Sequence, residues 1–367
     1  MRLISIDVLQ EGMVVGRAIW NEAGHPLLQK GVVITPGILR GLRKLNIQYI
    51  YIDDKLSKGI EVQELVTPAE RNKVVQKITE SYKALKCSDI KQATYILDQQ
   101  TKVISNIVED LLNTILDSEE MLTVLTDVFL YDEYLYQHSF QVTMYSIAIA
   151  KEMGYNYEDL RVIGIGAMLH DVGKLLVPQE ILFKPDRLTN EEFEIMRQHT
   201  RYGFDILRNL HSVSLIVAHC AFQHHERLDG SGYPRGLKDY EIHPFAKIIG
   251  VADVFDAVTS NRVYRSKMLP TDGIKLIDAG SGTIFSAAAV QALKKIIVQY
   301  PNGTTLKLKD GRRGVVSRQN ASKPERPYVR IFEEDEKLLD VTYEINLVEE
   351  ILVEIEKIET DYVLLEE

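Results

Sequence analysis

The sequence predicts a mainly α protein, a helical bundle carrying the chemistry, flanked by a small N-terminal β-rich domain and a small C-terminal β-containing region. Apolar residues recur at helical spacing through most of the chain from Pro68 to about residue 300. Short β-like runs broken by turn residues fill the first sixty or so positions, and the same signature returns past Tyr300.

Along residues 1–66 the β signals are Met13-Val14-Val15, Gly31-Val32-Val33-Ile34 and Tyr49-Ile50-Tyr51-Ile52, with a turn around Asn21 to Gly24. One short helix is expected from Pro36 to Leu45, and a regulatory role suits the whole segment. Residues 67–118 carry two helical stripes, Val75, Ile78, Tyr82 and Leu85, then Ile104, Ile107, Leu111 and Ile115. They predict a helical connector that packs onto the next domain, because the repeat is too short for a coiled-coil heptad pattern.

Residues 119–300 read as helical throughout. Leu135, Val142, Tyr145 and Ile149 share one stripe with His138, and Gly154 supplies the stop. Asn156 with Asp159 resembles a helix start. Thr189 with Glu192 fits a capping box ahead of Phe193, Met196 and Leu207, with His199 on that apolar face. Pro244 suits the first turn of a helix with Ile248, Val251, Phe255 and Val258 on one side and Asp253 off it. Within residues 301–367 the strand signals are Gly303 to Leu308, Gly314-Val315-Val316 and Tyr328 to Phe332, with a turn at Lys309-Asp310-Gly311.

Composition narrows the function. The 367 residues are 45% hydrophobic and 26% charged, an ordinary globular balance. A net charge of −10 argues against binding polymeric nucleic acid, while leaving room for a small anion held by a metal. Cys87 and Cys220 stand far apart without CxxC spacing, so neither a disulfide framework nor a thiolate zinc site is expected. The absence of a secretion-signal layout or a long apolar run predicts a cytoplasmic protein with no membrane insertion.

Two clusters carry the chemistry. His224-His225-Glu226-Arg227-Leu228-Asp229-Gly230-Ser231-Gly232-Tyr233-Pro234 joins adjacent imidazoles to a glycine-rich turn, and His170-Asp171-Val172-Gly173-Lys174 pairs an imidazole with a carboxylate. A lone buried histidine such as His138 or His199 is more often a satisfied core side chain than a ligand. Adjacent His-His and His-Asp pairs, however, are costly to bury without a cation. Candidate ligands are therefore His138, His170, Asp171, His199, His224, His225 and Asp253. Imidazole and carboxylate suit iron, manganese or zinc, and seven donors exceed one tetrahedral ion. They fit two divalent ions sharing a bridging carboxylate, for which Asp171 is placed beside His170.

These motifs, with Asp253 in Gly250-Val251-Ala252-Asp253-Val254-Phe255-Asp256-Ala257, resemble the HD-GYP family, a branch of the HD-domain metal-dependent phosphohydrolases. The resemblance covers residues 119–300 and extends to Gly282-Thr283-Ile284-Phe285 and Tyr300-Pro301. It implies an HD-type helical bundle, a two- or three-metal centre of iron or manganese, and hydrolysis of cyclic di-GMP, with pGpG or GMP as the alternative end products. It also assigns the seven candidates as the metal ligands. Three-metal members carry a glutamate one turn before the first histidine, where this chain has Tyr134 with Glu133 adjacent, so two metals are expected.

In the expected mechanism a hydroxide bridging the two ions attacks the phosphorus in line, with Asp171 holding the centre and no protein nucleophile needed. Lys174, one turn after His170, is placed to contact a phosphate oxygen as charge builds. Arg262 and Arg265 resemble the family's substrate-phosphate contacts, with surface salt bridges as the bland alternative. Gly232, Tyr233 and Pro234 form a turn that either admits the dinucleotide or merely shapes the loop. The proton donor stays open among Glu226, Asp229 and solvent on the metal. His25, His211, His219 and His243 receive no role. Alternatives are a related phosphohydrolase of another cyclic dinucleotide or nucleotide, and a weakly active cyclic di-GMP sensor or adaptor. A homodimer and signalling partners are compatible with the sequence.

Overall fold

Local signals set most of the helix boundaries in the computed structural model, which describes residues 1–20, 26–45, 47–62, 65–83, 89–118, 134–260, 268–320 and 322–363. Thr35 caps α1 (Pro36–Lys44) by accepting from the Ile38 amide, with proline at the first turn. The predicted stripes fall on α2 (Pro68–Lys83) and α3 (Ile90–Asp117), except for Leu85, which lies outside the described residues. Then come α4 (Tyr134–Glu152) and α5 (Tyr157–Leu169), the latter capped by Asn156, and a 3-10 turn at Val172–Leu176. After the short α6 (Gln179–Leu182), α7 (Asn190–Arg197) begins with the expected Thr189–Glu192 capping box. Next are α8 (His199–Leu207), α9 (Leu215–Gln223), α10 (Pro244–Thr259), α11 (Pro270–Asp278) and α12 (Ala287–Ile296).

Most of the helices share one apolar core, whereas α1 packs with the N-terminal strands through Leu42. Val75 and Ile78 of α2, and Leu97, Ile104, Val108 and Leu111 of α3, belong to the same buried cluster as Ile147, Ile163, Val217, Phe255 and Leu293. α4 packs on α5, α10 and α12, while α5 and α8 both pack on α9. This arrangement brings the ends of several helices to one place. Burial runs around nearly the whole circumference of α4, α5 and α10, which explains why their polar residues face protein rather than water. Among the described residues no helix is long and apolar enough to cross a membrane.

The N-terminal segment holds β1 (Arg2–Ser5), β2 (Val14–Val15), β3 (Ile19–Trp20), β4 (Pro26–Leu28) and β5 (Tyr49–Asp53), with sheet order β1-β5-β2 and a separate β3-β4 pair. The run from Gly31 to Ile34 makes only an isolated bridge from Val33 to Val14 rather than a strand. The C-terminal strands β6 (Thr305–Leu308), β7 (Arg313–Arg318), β8 (Tyr328–Glu334), β9 (Lys337–Asn346) and β10 (Ile355–Ile358) form one antiparallel sheet in the order β10-β6-β7-β8-β9.

The two β regions meet. The free edge of β1 donates from the Leu3 amide to the Gly303 carbonyl (2.9 Å) and from the Ser5 amide to the Thr360 carbonyl (2.7 Å). Buried Arg2 donates to Asp54 (2.7 Å) and to the Tyr362 carbonyl (2.6 Å). Leu56 and Ile60 share a cluster with Val315 and Phe332. An edge strand that would otherwise offer unpaired amides is thereby covered by the other end of the chain.

Candidate metal centre

Five elements deliver the seven predicted ligands to one buried point. α4 supplies His138 and the C-terminus of α5 supplies His170, with Asp171 next in the chain. α8 opens with His199, the end of α9 supplies His224 followed by His225, and α10 supplies Asp253. His170 and Asp171 are 0% and 1% exposed, and His138, His199, His224 and Asp253 are buried with them.

Two ligand groups share one carboxylate. Ligand atoms of Asp171, His199, His224 and His225 lie within 4.8 Å of one another, as do those of His138, His170 and Asp171. Asp171 Oδ1 faces His199 Nε2 at 3.4 Å and His224 Nε2 at 3.8 Å, whereas Oδ2 faces His170 Nε2 at 3.3 Å and His138 Nε2 at 3.7 Å. Asp253 spans the same gap, with Oδ1 3.1 Å from His138 Nε2 and Oδ2 3.6 Å from His225 Nδ1.

A shared device aims three of these imidazoles. His170 Nδ1 donates to the Ala167 carbonyl (2.6 Å), His199 Nδ1 to the Met196 carbonyl (2.7 Å) and His224 Nδ1 to the Ala221 carbonyl (2.9 Å). Each acceptor lies three residues earlier, near a helix C-terminus, where carbonyls lack intrahelical donors. A carbonyl can only accept, so the proton sits on Nδ1 and the lone pair on Nε2 points into the site. His138 is oriented instead by Asp256, whose Oδ2 lies 2.6 Å from Nδ1, and Ser260 donates to the other oxygen of Asp256 (2.8 Å).

The inward atoms have no other partner. His170 Nε2, His199 Nε2, His224 Nε2 and Asp171 Oδ1 are buried without a hydrogen bond. Orphaned acceptors of this kind carry a desolvation cost, and divalent cations held by the two groups would satisfy all four. The donor set fits a metal centre.

Electrostatics agree. Burial, followed for His199 by the competing pull of Asp171 and the push of Lys174, lowers the His199 imidazole to about 4; burial lowers His225 to about 3. Burial and the neighbouring imidazoles hold His224 well below its ordinary value. These rings are therefore neutral and ready to ligate at neutral pH. Burial works against ionising Asp171, but Lys174 and His170 outweigh it and hold the carboxyl well below the usual range. Asp253 is held low too, where burial is outweighed by the hydrogen bond with His138 and the facing imidazole of His225. His138 runs the other way: burial alone would lower it, yet its bonds to Asp253 and Asp256 raise it to about 9.

Glycines let the elements close around the site. A Cβ on Gly173 would lie 1.9 Å from the His199 carbonyl oxygen, and one on Gly250 would lie 2.7 Å from the His224 carbonyl oxygen. A Cβ on Gly232 would meet the Arg227 amide nitrogen at 2.4 Å and the His225 carbonyl oxygen at 2.5 Å. Gly232 therefore folds its loop back onto the ligand-bearing segment, and of the two roles open to the turn, this contact is the loop-shaping one.

The remaining predicted residues fall around this core. Lys174 donates to Asp171 Oδ2 at 2.5 Å, so its ammonium already neutralises the shared carboxylate. Tyr233 lies against His225, with ring centroids 4.7 Å apart, and Arg197 sits 4.8 Å from the Tyr233 centroid. Pro234 follows on the outer side, beside Arg201 and Arg235. Arg262 and Arg265 lie outside the described residues, as does Glu133. Glu226 accepts from the Arg235 and Leu237 amides (both 2.8 Å), bracing the turn. His243 caps α10, and His219 stacks against Phe204. Sequence reasoning passed over Asp256, although it stands one turn after Asp253 on the same helix.

The chain is similar to several known proteins. The HD domain family model matches residues 122–288. A cyclic di-GMP phosphodiesterase of Pseudomonas aeruginosa is 30% identical over 355 residues, covering 90% of this chain and 85% of that protein. One from Thermotoga maritima is 37% identical over 248 residues, covering 66% of this chain and 65% of that protein. A solved HDG"Y"P protein from Bdellovibrio bacteriovorus is 16% identical with a TM-score of 0.44, covering 79% of this chain and 97% of that one. With the likeness running through both β regions as well as the helices, the chain belongs to the HD-GYP family of HD-domain cyclic di-GMP phosphodiesterases.

Proposed function

We propose that this chain is a metal-dependent phosphodiesterase that opens cyclic di-GMP to pGpG and carries it on to GMP, using two divalent ions of iron or manganese. The observation that carries the reading is the set of buried, unpartnered ligand atoms on His170, His199, His224 and Asp171, all facing one another. One group, His138, His170 and Asp171, would hold the first ion; Asp171, His199, His224 and His225 would hold the second, with Asp253 spanning the two. Bound there, such ions supply an activated water and draw charge from the phosphoryl oxygens.

The protein's own part is positional and electrostatic. Asp171 keeps both groups at a fixed separation. Lys174 offsets its charge and, being about a fifth exposed, can also reach an incoming phosphate oxygen. Of the side chains considered as proton donor, Glu226 is committed to two backbone amides. The hydroxyl and amide of Ser231 hold the Asp229 carboxyl below its usual range, so it is ionised at neutral pH. That leaves solvent as the proton source for the leaving 3′ oxygen. Arg262 and Arg265 remain the proposed phosphate contacts, with the turn at Gly232, Tyr233 and Pro234 bordering the substrate. Cys220 is buried as a free thiol, which accords with a reducing, cytoplasmic setting.

The test is Asp171→Ala assayed for metal content and cyclic di-GMP hydrolysis together. Both should be lost. A wild-type protein that binds cyclic di-GMP with its metals in place but never turns it over would instead be a sensor.

A further inference from the structure

Next to the metal ligands lies a cavity of about 310 Å³, lined by His224, His225, Arg227, Phe285 and, from α7, Phe193 and Arg197. It is at the small end of ligand pockets, with room for one base and its sugar rather than a whole cyclic dinucleotide. We infer that it is the subsite for one guanine of the substrate, an inference that rests on the proposed phosphodiesterase function.

The aromatic ring offered to that base belongs to Phe193. Tyr233 is already engaged: His225 packs against it, the Arg197 guanidinium lies over it, and the Phe193 ring meets it edge-on at 6.2 Å between centroids. Phe193 itself is 45% exposed, a large apolar ring lining the same cavity as the ligands His224 and His225. Base stacking on such a ring is sequence-tolerant, so it accounts for affinity but not for choice of base.

Choice of base falls to the guanidiniums. Guanine presents O6 and N7 as paired acceptors, and an arginine fork matches both, whereas adenine places a donor where guanine has O6. Arg197 is held by Glu194 (2.5 Å) and by Tyr233, which positions it. Arg227 is exposed, lines the same cavity and follows His225 by two residues in the chain, which leaves its guanidinium free to meet a base held there. The structure thus assigns stacking to Phe193 and guanine selection to Arg227.

The experiment uses metal-loaded full-length protein and compares cyclic di-GMP, cyclic di-AMP and the small diester methyl p-nitrophenyl phosphate. Phe193→Ala should raise KM for cyclic di-GMP about ten-fold, in line with losing one base stack, with kcat changed far less. The ratio of kcat/KM for cyclic di-GMP over that for the small diester should fall accordingly, and Phe193→Tyr should restore it. Arg227→Gln should erode the preference for cyclic di-GMP over cyclic di-AMP about ten-fold or more. An active wild type whose Phe193→Ala variant keeps its KM, or loses both diesters in proportion, overturns the subsite alone. A metal-loaded wild type inert towards all three overturns the parent function and the subsite with it.

Discussion

Gly173 packs so tightly on His199 that a methyl group at its Cα would lie 1.9 Å from the His199 carbonyl oxygen. The 3-10 turn that follows Asp171 is thus docked directly onto the first turn of α8, fixing the shared carboxylate relative to one of its imidazoles. Because the obstacle is backbone, no rotamer change relieves it. Gly173→Ala should cost about 1–3 kcal/mol of stability and displace His199. Thermal unfolding with metal analysis checks this, and a variant with wild-type metal content and melting temperature would contradict it.

Asp256 orients His138 without touching the centre itself. Removing it in Asp256→Ala should weaken metal affinity or activity about 10- to 100-fold while leaving the fold in place. Asp256→Asn, whose amide oxygen still accepts from Nδ1, should lose less. Competitive chelator titration alongside initial rates distinguishes this positioning role from a general loss of folding, which would follow side-chain volume instead.

The raised His138 value, about 9, has a consequence for the metal-free protein. At neutral pH the imidazole is protonated and donates to both Asp253 and Asp256, so metal binding must expel that proton. Calorimetric titration in two buffers of different ionisation enthalpy should show proton release near pH 7.5 that fades as pH rises past about 9. The linkage has the matching sign. A folded value above the unfolded 6.5 contributes stability that is full below 6.5 and lost as pH climbs through about 9. Urea melts of metal-free protein at either end of that window should record the loss.

Cys220 is buried beneath Gly166, and burial pushes its thiol up to about 12. It should resist iodoacetamide in the native protein at mildly alkaline pH and react once the chain is unfolded. Peptide mapping reads the two states separately; rapid native alkylation at Cys220 would mean that the α5–α9 contact opens readily.

Much of the centre was legible because its ligands come in local pairs. His170-Asp171 and His224-His225 betray themselves by adjacency, and His138 and His199 by lying on apolar stripes. The aiming devices were not legible. The carbonyls of Ala167, Met196 and Ala221 belong to every residue type, and Asp256 makes its partner 118 positions away. Lys174 illustrates a partial reading: its place one turn from His170 was visible, but its bond to Asp171 depends on side-chain direction. In the β regions, Tyr49 to Ile52 and Tyr328 to Phe332 announce themselves by composition. β9 does not, since most of its residues are exposed, apolar Leu338 and Val341 among them, and the pairing of β1 with Gly303 and Thr360 leaves no local periodicity.

The central claim is that two divalent ions held between these side chains cleave cyclic di-GMP. Its most direct test is anaerobic incubation of cyclic di-GMP with iron- and manganese-loaded protein of measured metal content, followed by chromatography of the products. The account predicts pGpG, followed by GMP, with about two ions bound per chain. Intact cyclic di-GMP after incubation with fully loaded protein would contradict it.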